Sequence, residues 1–185
     1  MSRELMSLLD HQEIMNRISD LAFGLDLRDF HRYRRCFADE VEVRNPGFSP
    51  TAPVQTRTGD DWAGSVYRTQ SQLDYGLHIL TSPAIEVRGD EADVTVLQQA
   101  RFVFEGDSYF VAGPLRLGFV RTPAGWLIRR LDFETTWSEG NSSVYDRARE
   151  SAAAQAAAAQ AAAAQAAAAQ TAAAQTAAGT AEVAP

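Results

Sequence analysis

Residues Leu21 to Asn45 read LAFGLDLRDFHRYRRCFADEVEVRN, and the rest of the predicted domain is arranged around them. The stretch contains the end of an apolar helix, a short second helix and the start of an alternating strand. Asp26 lies beside the apolar positions of the first helix. A carboxylate there is costly to bury unless another group pairs with it. The candidate partner is His78, which lies in a later predicted strand.

The chain before and within this stretch is predicted to be helical. A leading helix covers Arg3 to Leu9, and Asp10 caps a second helix that runs to about Leu27. Glu13 completes a capping box three residues after Asp10. Asp29 is predicted to cap a further helix from Phe30 to Phe37.

The chain after this stretch is mainly β. Proline and glycine, from Pro46 to Pro53, break the chain into a predicted loop that is about a dozen residues long in all, and Gly59 begins another helix. Four long strands follow, and Gly113-Pro114 suggests a bulge or bend in the third; the strands span Gly76–Val87, Ala92–Glu105, Ser108–Arg121 and Trp126 to about Trp137. The predicted fold is α+β, with N-terminal helices packed in a strongly curved, mainly antiparallel sheet, a cone-shaped α+β barrel.

The C-terminal segment is different in kind. We predict one α+β domain over residues 1–145 and a low-complexity Ala/Gln-rich tail over residues 146–185, helical or disordered. Glutamine recurs every fifth residue from Gln155 to Gln175, so its positions spiral around a helix and leave no constant apolar face. We expect an exposed helical tail without chemistry and with little contact with the domain; a partner-docking helix is the alternative.

Composition excludes several classes of function. The formal net charge is -7, which argues against nucleic-acid binding. All 17 basic residues are arginine, so Schiff-base chemistry and a P-loop lysine are excluded. The single cysteine, Cys36, is expected to fill the core. Neither a signal peptide nor a membrane span is predicted, so the expected location is cytoplasmic.

Few residues are candidates for chemistry. His78 shares one face of its predicted strand with Leu80 and Ala84, and it is either a satisfied core histidine or an acid/base group held by Asp26. His11 and His31 are expected to be solvated, and the histidine spacing predicts no metal site. Aromatic side chains are either core or the lining of a substrate pocket; they are Trp62, Tyr67, Phe102, Phe104 and Phe119.

Three segments together resemble a SnoaL-like domain of the nuclear transport factor 2-like superfamily, which includes scytalone dehydratase and the bile-acid dehydratases. They are LLDHQEIMNRISDLAFGLDLRDFHRYRRCFADEVEV, GLHILTSPAIEVRGDEADV and GFVRTPAGWLIRRLDFETTW. The resemblance implies that Asp26 and His78 are the catalytic pair. Tyrosines of these dehydratases fall on Leu25 or near Leu21, a second histidine falls near Phe102, and a late asparagine falls near Leu115. The group that polarises the substrate in the dehydratase site would then have to come from elsewhere in this chain, and Tyr67 and Asn45 are the candidates.

The resemblance implies a cofactor-independent lyase or isomerase of the dehydratase type. It would use the His-Asp dyad in an apolar pocket on a small polycyclic or polyketide-like substrate. The alternatives are a non-catalytic small-molecule-binding module and a structural subunit resembling the small subunit of aromatic-ring-hydroxylating dioxygenases. Apolar residues on both faces of the strands predict a homo-oligomer, a dimer or a trimer, with the trimer favoured by the resemblance.

Overall fold

The structure, a computed structural model, describes residues 2–44 and 53–181, with side chains for all of these except residues 3 and 172–181. Helices and strands follow one another in the order α1 (Arg3–Asp26), α2 (Phe30–Arg34), β1 (Phe37–Arg44), β2 (Gln55–Thr58), α3 (Gly59–Gln72), β3 (Tyr75–Arg88), β4 (Glu91–Phe104), β5 (Asp107–Thr122), β6 (Gly125–Phe133), β7 (Trp137–Gly140) and α4 (Ser143–Ala181).

The N-terminal helix is continuous, so the predicted break at Asp10 is wrong. The helix begins at Arg3, where the side chain of Ser2 accepts a hydrogen bond from the amide of Leu5. Asp10 lies in mid-helix and is buried; it accepts hydrogen bonds from both terminal nitrogens of Arg121 and from the indole of Trp126. The polar residue read as a cap therefore ties the helix to the sheet.

The described strands form one curved, unclosed sheet in the order β2-β1-β6-β5-β4-β3, and β7 pairs with β5. The pairs are antiparallel except β1 and β6, which run parallel. The inward positions of β4 and β5 are apolar residues that alternate along the sequence, as one buried face of an antiparallel strand requires; among them are Val94, Val96, Val111 and Leu117. The predicted α+β class with N-terminal helices packed in a curved, mainly antiparallel sheet is confirmed.

Two strands depart from the predicted pattern. In β3 the register shifts between Thr81 and Ala84, with Ser82 at φ 54°, so the chain gains one residue against β4. A bulge reverses the alternation, and Ala84 is therefore exposed and does not share the face of His78. The predicted last strand is interrupted: β6 ends at Phe133, and β7 resumes at Trp137 along the same edge of β5 with one extra residue in between.

The interruption between β6 and β7 explains Gly113. The β4–β5 register runs through Gly113-Pro114 without a shift, so β5 has no bulge against β4 there; the extra residue lies opposite, between Phe133 and Trp137. A Cβ atom at Gly113 would lie 1.8 Å from the carbonyl oxygen of Glu134. The backbone amides of Glu134 and Thr136 donate to the carbonyls of Pro114 and Ala112, on either side of Gly113. Glycine is therefore required for close backbone approach.

The C-terminal helix is docked at its beginning and exposed further on. Val144 and Ala148 are fully buried and Ala152 is nearly so. Ser151 and Gln155 both hydrogen-bond to Gln72 on α3. From residue 157 to residue 171 the side chains are exposed. The expectation that the tail makes little contact with the domain thus holds for the later turns of α4. It is wrong for the first turns, which contain residues other than alanine.

Candidate active site

Asp26 is the last residue of α1, and the helix ends in a way that holds it. Arg28 adopts a left-handed conformation with φ 56°. The amides of Arg28 and Asp29 donate back to the carbonyls of Leu25 and Gly24, which is a Schellman ending. Asp29 then caps α2 as predicted, accepting from the amide of Arg32 at 3.0 Å. The C-terminal end of α1 and the N-terminal end of α2 therefore fix the position of Asp26.

His78 lies on β3, an edge strand of the sheet that runs beside α1. Alternate amides of an edge strand point away from the sheet, and the amide of His78 donates to Asp26 Oδ2 at 2.8 Å. The ring nitrogen Nδ1 lies 2.7 Å from Asp26 Oδ1. Since a carboxylate only accepts hydrogen bonds, Nδ1 carries a proton, and in the neutral form of the imidazole Nε2 is the acceptor nitrogen. One carboxylate thus holds both the backbone and the ring of His78.

The imidazole ring lines a cavity of about 100 Å³ between the helices and the sheet. Its walls are mainly apolar and include Leu21, Leu25, Val66, Leu80, Leu115 and Phe133. Three of these leucines occupy the positions where the resemblance implies polar residues in the dehydratases. A recess of about 270 Å³ between α1 and β3 adjoins this cavity and shares Ala22, His78 and Leu80 with it.

Polar side chains that the sequence analysis missed also line the cavity; they are Tyr33, Gln70, Gln98 and Tyr145. Burial raises the pKa of Tyr145 to about 12, although a hydrogen bond with Gln70 opposes this. Burial also raises the pKa of Tyr33 well above its ordinary value. Both tyrosines therefore stay neutral hydroxyls. Gln98 could have been found from the sequence, because it is a polar residue on the inward face of its strand between Val96 and Ala100. Tyr145 could not, because it lies outside the segments that resemble the family.

The predicted aromatic lining is mostly core. Trp62 does line the cavity, but Phe104 and Phe119 are buried away from it. Phe102 packs edge-on against the ring of His78 at 5.6 Å, so it supports the histidine from outside the cavity lining. Tyr67 is turned away and donates to the carbonyl of Arg28 at 2.5 Å. Alternation shows which face is inward but not which inward residue meets the cavity. Asn45 lies outside the described residues.

Other candidate groups have structural surroundings. Burial raises the pKa of Cys36 to about 12, and its thiol lies against the carbonyls of Arg17 and Arg32. Within residues 2–44 and 53–181, no group of three or more His, Cys, Asp or Glu side chains could hold a metal ion. None of the helices in the described part of the chain is long and apolar enough to span a membrane.

Comparison with solved structures places this fold among known ones. A protein named Kfla4162 from Kribbella flavida superposes with a TM-score of 0.70 at 20% identity, covering 76% of this chain and 99% of the other. A candidate scytalone dehydratase from Novosphingobium aromaticivorans superposes with a TM-score of 0.63 at 19% identity, over 73% of this chain and 89% of the other.

A third structure is the hexachlorocyclohexane dehydrochlorinase LinA-type3 from Novosphingobium barchaimii, with a TM-score of 0.64 at 18% identity over 75% of this chain and 94% of the other. No curated protein sequence matches the chain. Residues 6–132 match the SnoaL-like domain family. The chain therefore belongs to the SnoaL-like domain family, with a nuclear transport factor 2-like fold.

Proposed function

We propose that the chain is a cofactor-free lyase or isomerase in which His78 moves a proton on a small, mainly apolar substrate. The two hydrogen bonds that Asp26 accepts, one from the amide and one from the ring of His78, carry this proposal. It holds the ring in one tautomer, with Nε2 available to the cavity as a base. The side chains of His78 and Asp26 are only 9% and 13% exposed, so little water competes for the proton.

The cavity favours a compact and neutral substrate. An apolar cavity of about 150 Å³ holds one benzene ring. The cavity here is smaller, at about 100 Å³, so a bound ring would extend into the adjoining recess of about 270 Å³. Arg44 is the only permanently charged side chain of the described lining, and it is ion-paired with Glu42. The cavity and the recess together suit one or two rings, so of the substrates that the resemblance implies a larger fused polycycle fits less well.

Elimination is the reaction to test first, because two of the structural relatives are named as a dehydrochlorinase and a candidate dehydratase. His78 Nε2 would take a proton from carbon, the C–H electron pair would form the new double bond, and the leaving group would depart from the neighbouring carbon. When the leaving group is a hydroxyl, the imidazolium returns the proton to it. Isomerisation would use the same base and return the proton to a different carbon.

The test uses 5-nitrobenzisoxazole, a flat bicyclic aromatic probe; when a base removes the C3 proton of its isoxazole ring, the N–O bond breaks and the ring opens to a nitrile and a phenolate. We expect wild-type protein to accelerate the opening, and His78→Ala to lower the rate roughly 10²-fold. Asp26→Asn should also be impaired, because an amide can hold the wrong tautomer. His31→Ala is the matched control, since His31 is exposed on α2.

A rate in the wild type no higher than in buffer would overturn the proposal. So would a His78→Ala protein that keeps its wild-type circular dichroism and its wild-type rate. Either result would leave the non-catalytic binding module as the better account of the cavity.

A further inference from the structure

The outer face of the sheet, which is turned away from the helices and the cavity, carries an apolar patch. Five large apolar side chains on it are 37–58% exposed; they are Tyr75, Leu77, Ile79, Leu97 and Trp137. The two aromatic ones alone expose roughly 200 Å², since a whole aromatic side chain covers about 150–250 Å². A contiguous apolar patch of several hundred Å² marks an interaction site on a soluble protein. We call these residues the outer patch.

Two charged residues of opposite sign lie within the outer patch. The strand register places Leu77, Arg101, Phe110 and Glu139 in one row across β3, β4, β5 and β7. Neighbouring strands are about 4.8 Å apart, so the backbones of Arg101 and Glu139 are about 10 Å apart, with Phe110 between them. Both residues line a recess of about 260 Å³ together with Phe110 and Trp137.

Neither charge is paired within the described part of the chain. The side chains of Arg101 and Glu139 form no ion pair and no hydrogen bond with another described residue. Charged residues at the far end of the same face behave differently, because they pair with one another.

These far-end pairs join Arg116 to Glu134, and Asp93 to Arg88 and Arg130. A charge that is covered by apolar surface without a partner is strongly unfavourable. Whatever covers the outer patch must therefore bring a negative group to Arg101 and a positive group to Glu139.

We propose that the outer patch is the interface of a two-fold homodimer in which Arg101 of each copy pairs with Glu139 of the other. A two-fold axis that runs along β5 past Phe110 exchanges the two sides of the row. It brings each arginine over the glutamate of the second copy, and it brings the two Phe110 rings together. Such a contact is isologous, with the same patch used by both copies. Because the axis is parallel to the strands, the two sheets stay aligned, which is a usual way for sheets to pack face to face.

The charges select a second copy of this chain as the occupant. One patch carries both members of the ion pair, so a second copy supplies both opposite charges at the required separation. In a closed ring of three, each subunit would have to present two different surfaces to its two neighbours. The resemblance favoured a trimer, whereas the single self-complementary patch favours a dimer.

The test uses two variants of the full chain, Arg101→Glu and Glu139→Arg. Each variant places like charges opposite each other at two points of its own homodimer, so each should raise the dimer dissociation constant by about 100-fold or more. We expect sedimentation velocity at micromolar concentration to give a dimer for the wild type and a monomer for each variant alone. An equimolar mixture of the two variants should be dimeric again, because one then presents two acidic groups and the other two basic ones.

Three further variants serve as controls. Arg68→Glu on α3 and Glu40→Arg on β1 make the same charge changes at exposed positions outside the outer patch, and both should stay dimeric. The double variant Arg101→Glu/Glu139→Arg exchanges the signs of the pair and should also be dimeric. Native mass spectrometry of the mixture, with one variant labelled with ¹⁵N, should show one copy of each variant in the dimer.

Several results would overturn this interface. A monomeric wild type would leave the outer patch to another protein or to a lipid surface. A trimeric wild type would refute the two-fold axis, and a ring of three cannot alternate the two variants. Single variants that remain dimeric, or a mixture and a double variant that stay monomeric with wild-type circular dichroism, would refute the Arg101–Glu139 pairing. Because His78 lies on the opposite face of β3, these outcomes do not depend on the proposed function.

Discussion

Replacing Asp10 by Ala should destabilise the domain by far more than the loss of a helix cap. The carboxylate accepts from Arg121 at 2.6 and 2.7 Å and from the Trp126 indole at 3.1 Å, and Trp126 is fully buried. Leaving a buried N–H unpaired costs about 1–3 kcal/mol, and hydrogen bonds to a charged group contribute about 1.5–3 kcal/mol. The Arg121 side chain is 31% exposed and keeps Asp90 as a partner in the variant. The loss of its hydrogen bonds to Asp10 therefore contributes less to the cost than a buried pair would.

We therefore expect Asp10→Ala to lower the free energy of unfolding by about 3 kcal/mol, against about 1 kcal/mol for an ordinary N-cap. Urea denaturation at neutral pH would measure it, with an unchanged slope showing that the same surface unfolds. Asp90→Ala is the matched control, because it removes the 81% exposed partner of the same arginine and should cost less than about 1 kcal/mol.

The same ion pair predicts a pH dependence. The hydrogen bond from Arg121 holds the pKa of Asp10 below its ordinary value of 3.8, against the opposing effect of burial. A carboxylate with a lowered folded-state pKa stabilises the fold fully above the unfolded pKa and loses that contribution as the pH falls through the folded one. The difference between wild type and Asp10→Ala should thus shrink below about pH 4. A cost no larger than that of Asp90→Ala, or a difference independent of pH, would refute the ion-pair account.

Three other predictions test the packing. Deleting the chain after Gln160 should leave the melting temperature unchanged, whereas deletion after Asn141 removes the docked turns of α4 and should lower it by more than about 10 °C; calorimetry on both truncations would show whether α4 docks. Gly24→Ala places a Cβ atom 2.6 Å from the backbone of α2, so it should lower the free energy of unfolding, measured with urea, by about 1–3 kcal/mol. Gly64→Ala on α3 meets only the flexible end of a side chain and should raise the free energy of unfolding by up to about 1 kcal/mol. Light scattering at micromolar concentration should give a dimer or trimer, and Leu97→Glu, on the exposed apolar sheet face, should give a monomer; a monomeric wild type would contradict the expected interface.

Local patterns in the sequence were sufficient for the class of the fold. Period-two alternation predicted the inward residues of β4 and β5, because one buried face forces that spacing on an antiparallel strand. The helix end at Asp26 and the cap at Asp29 were likewise readable, since capping depends on residues three or four apart. The hypothesis that Asp26 and His78 form a pair came from the resemblance to the SnoaL-like family and not from their spacing in the sequence.

Tertiary structure alone decided the rest. A residue such as Asp10 caps a helix or joins a buried ion pair with equal local plausibility, and only the distant Arg121 and Trp126 decide between these. Phe119 and Trp62 are both apolar and inward, yet only Trp62 meets the cavity. Tyr145 enters it from the first turn of α4, the helix that continues as the alanine-rich tail. A cavity is the space that remains when elements far apart in the chain have packed, so its lining is a property of that packing and is not written in any one segment.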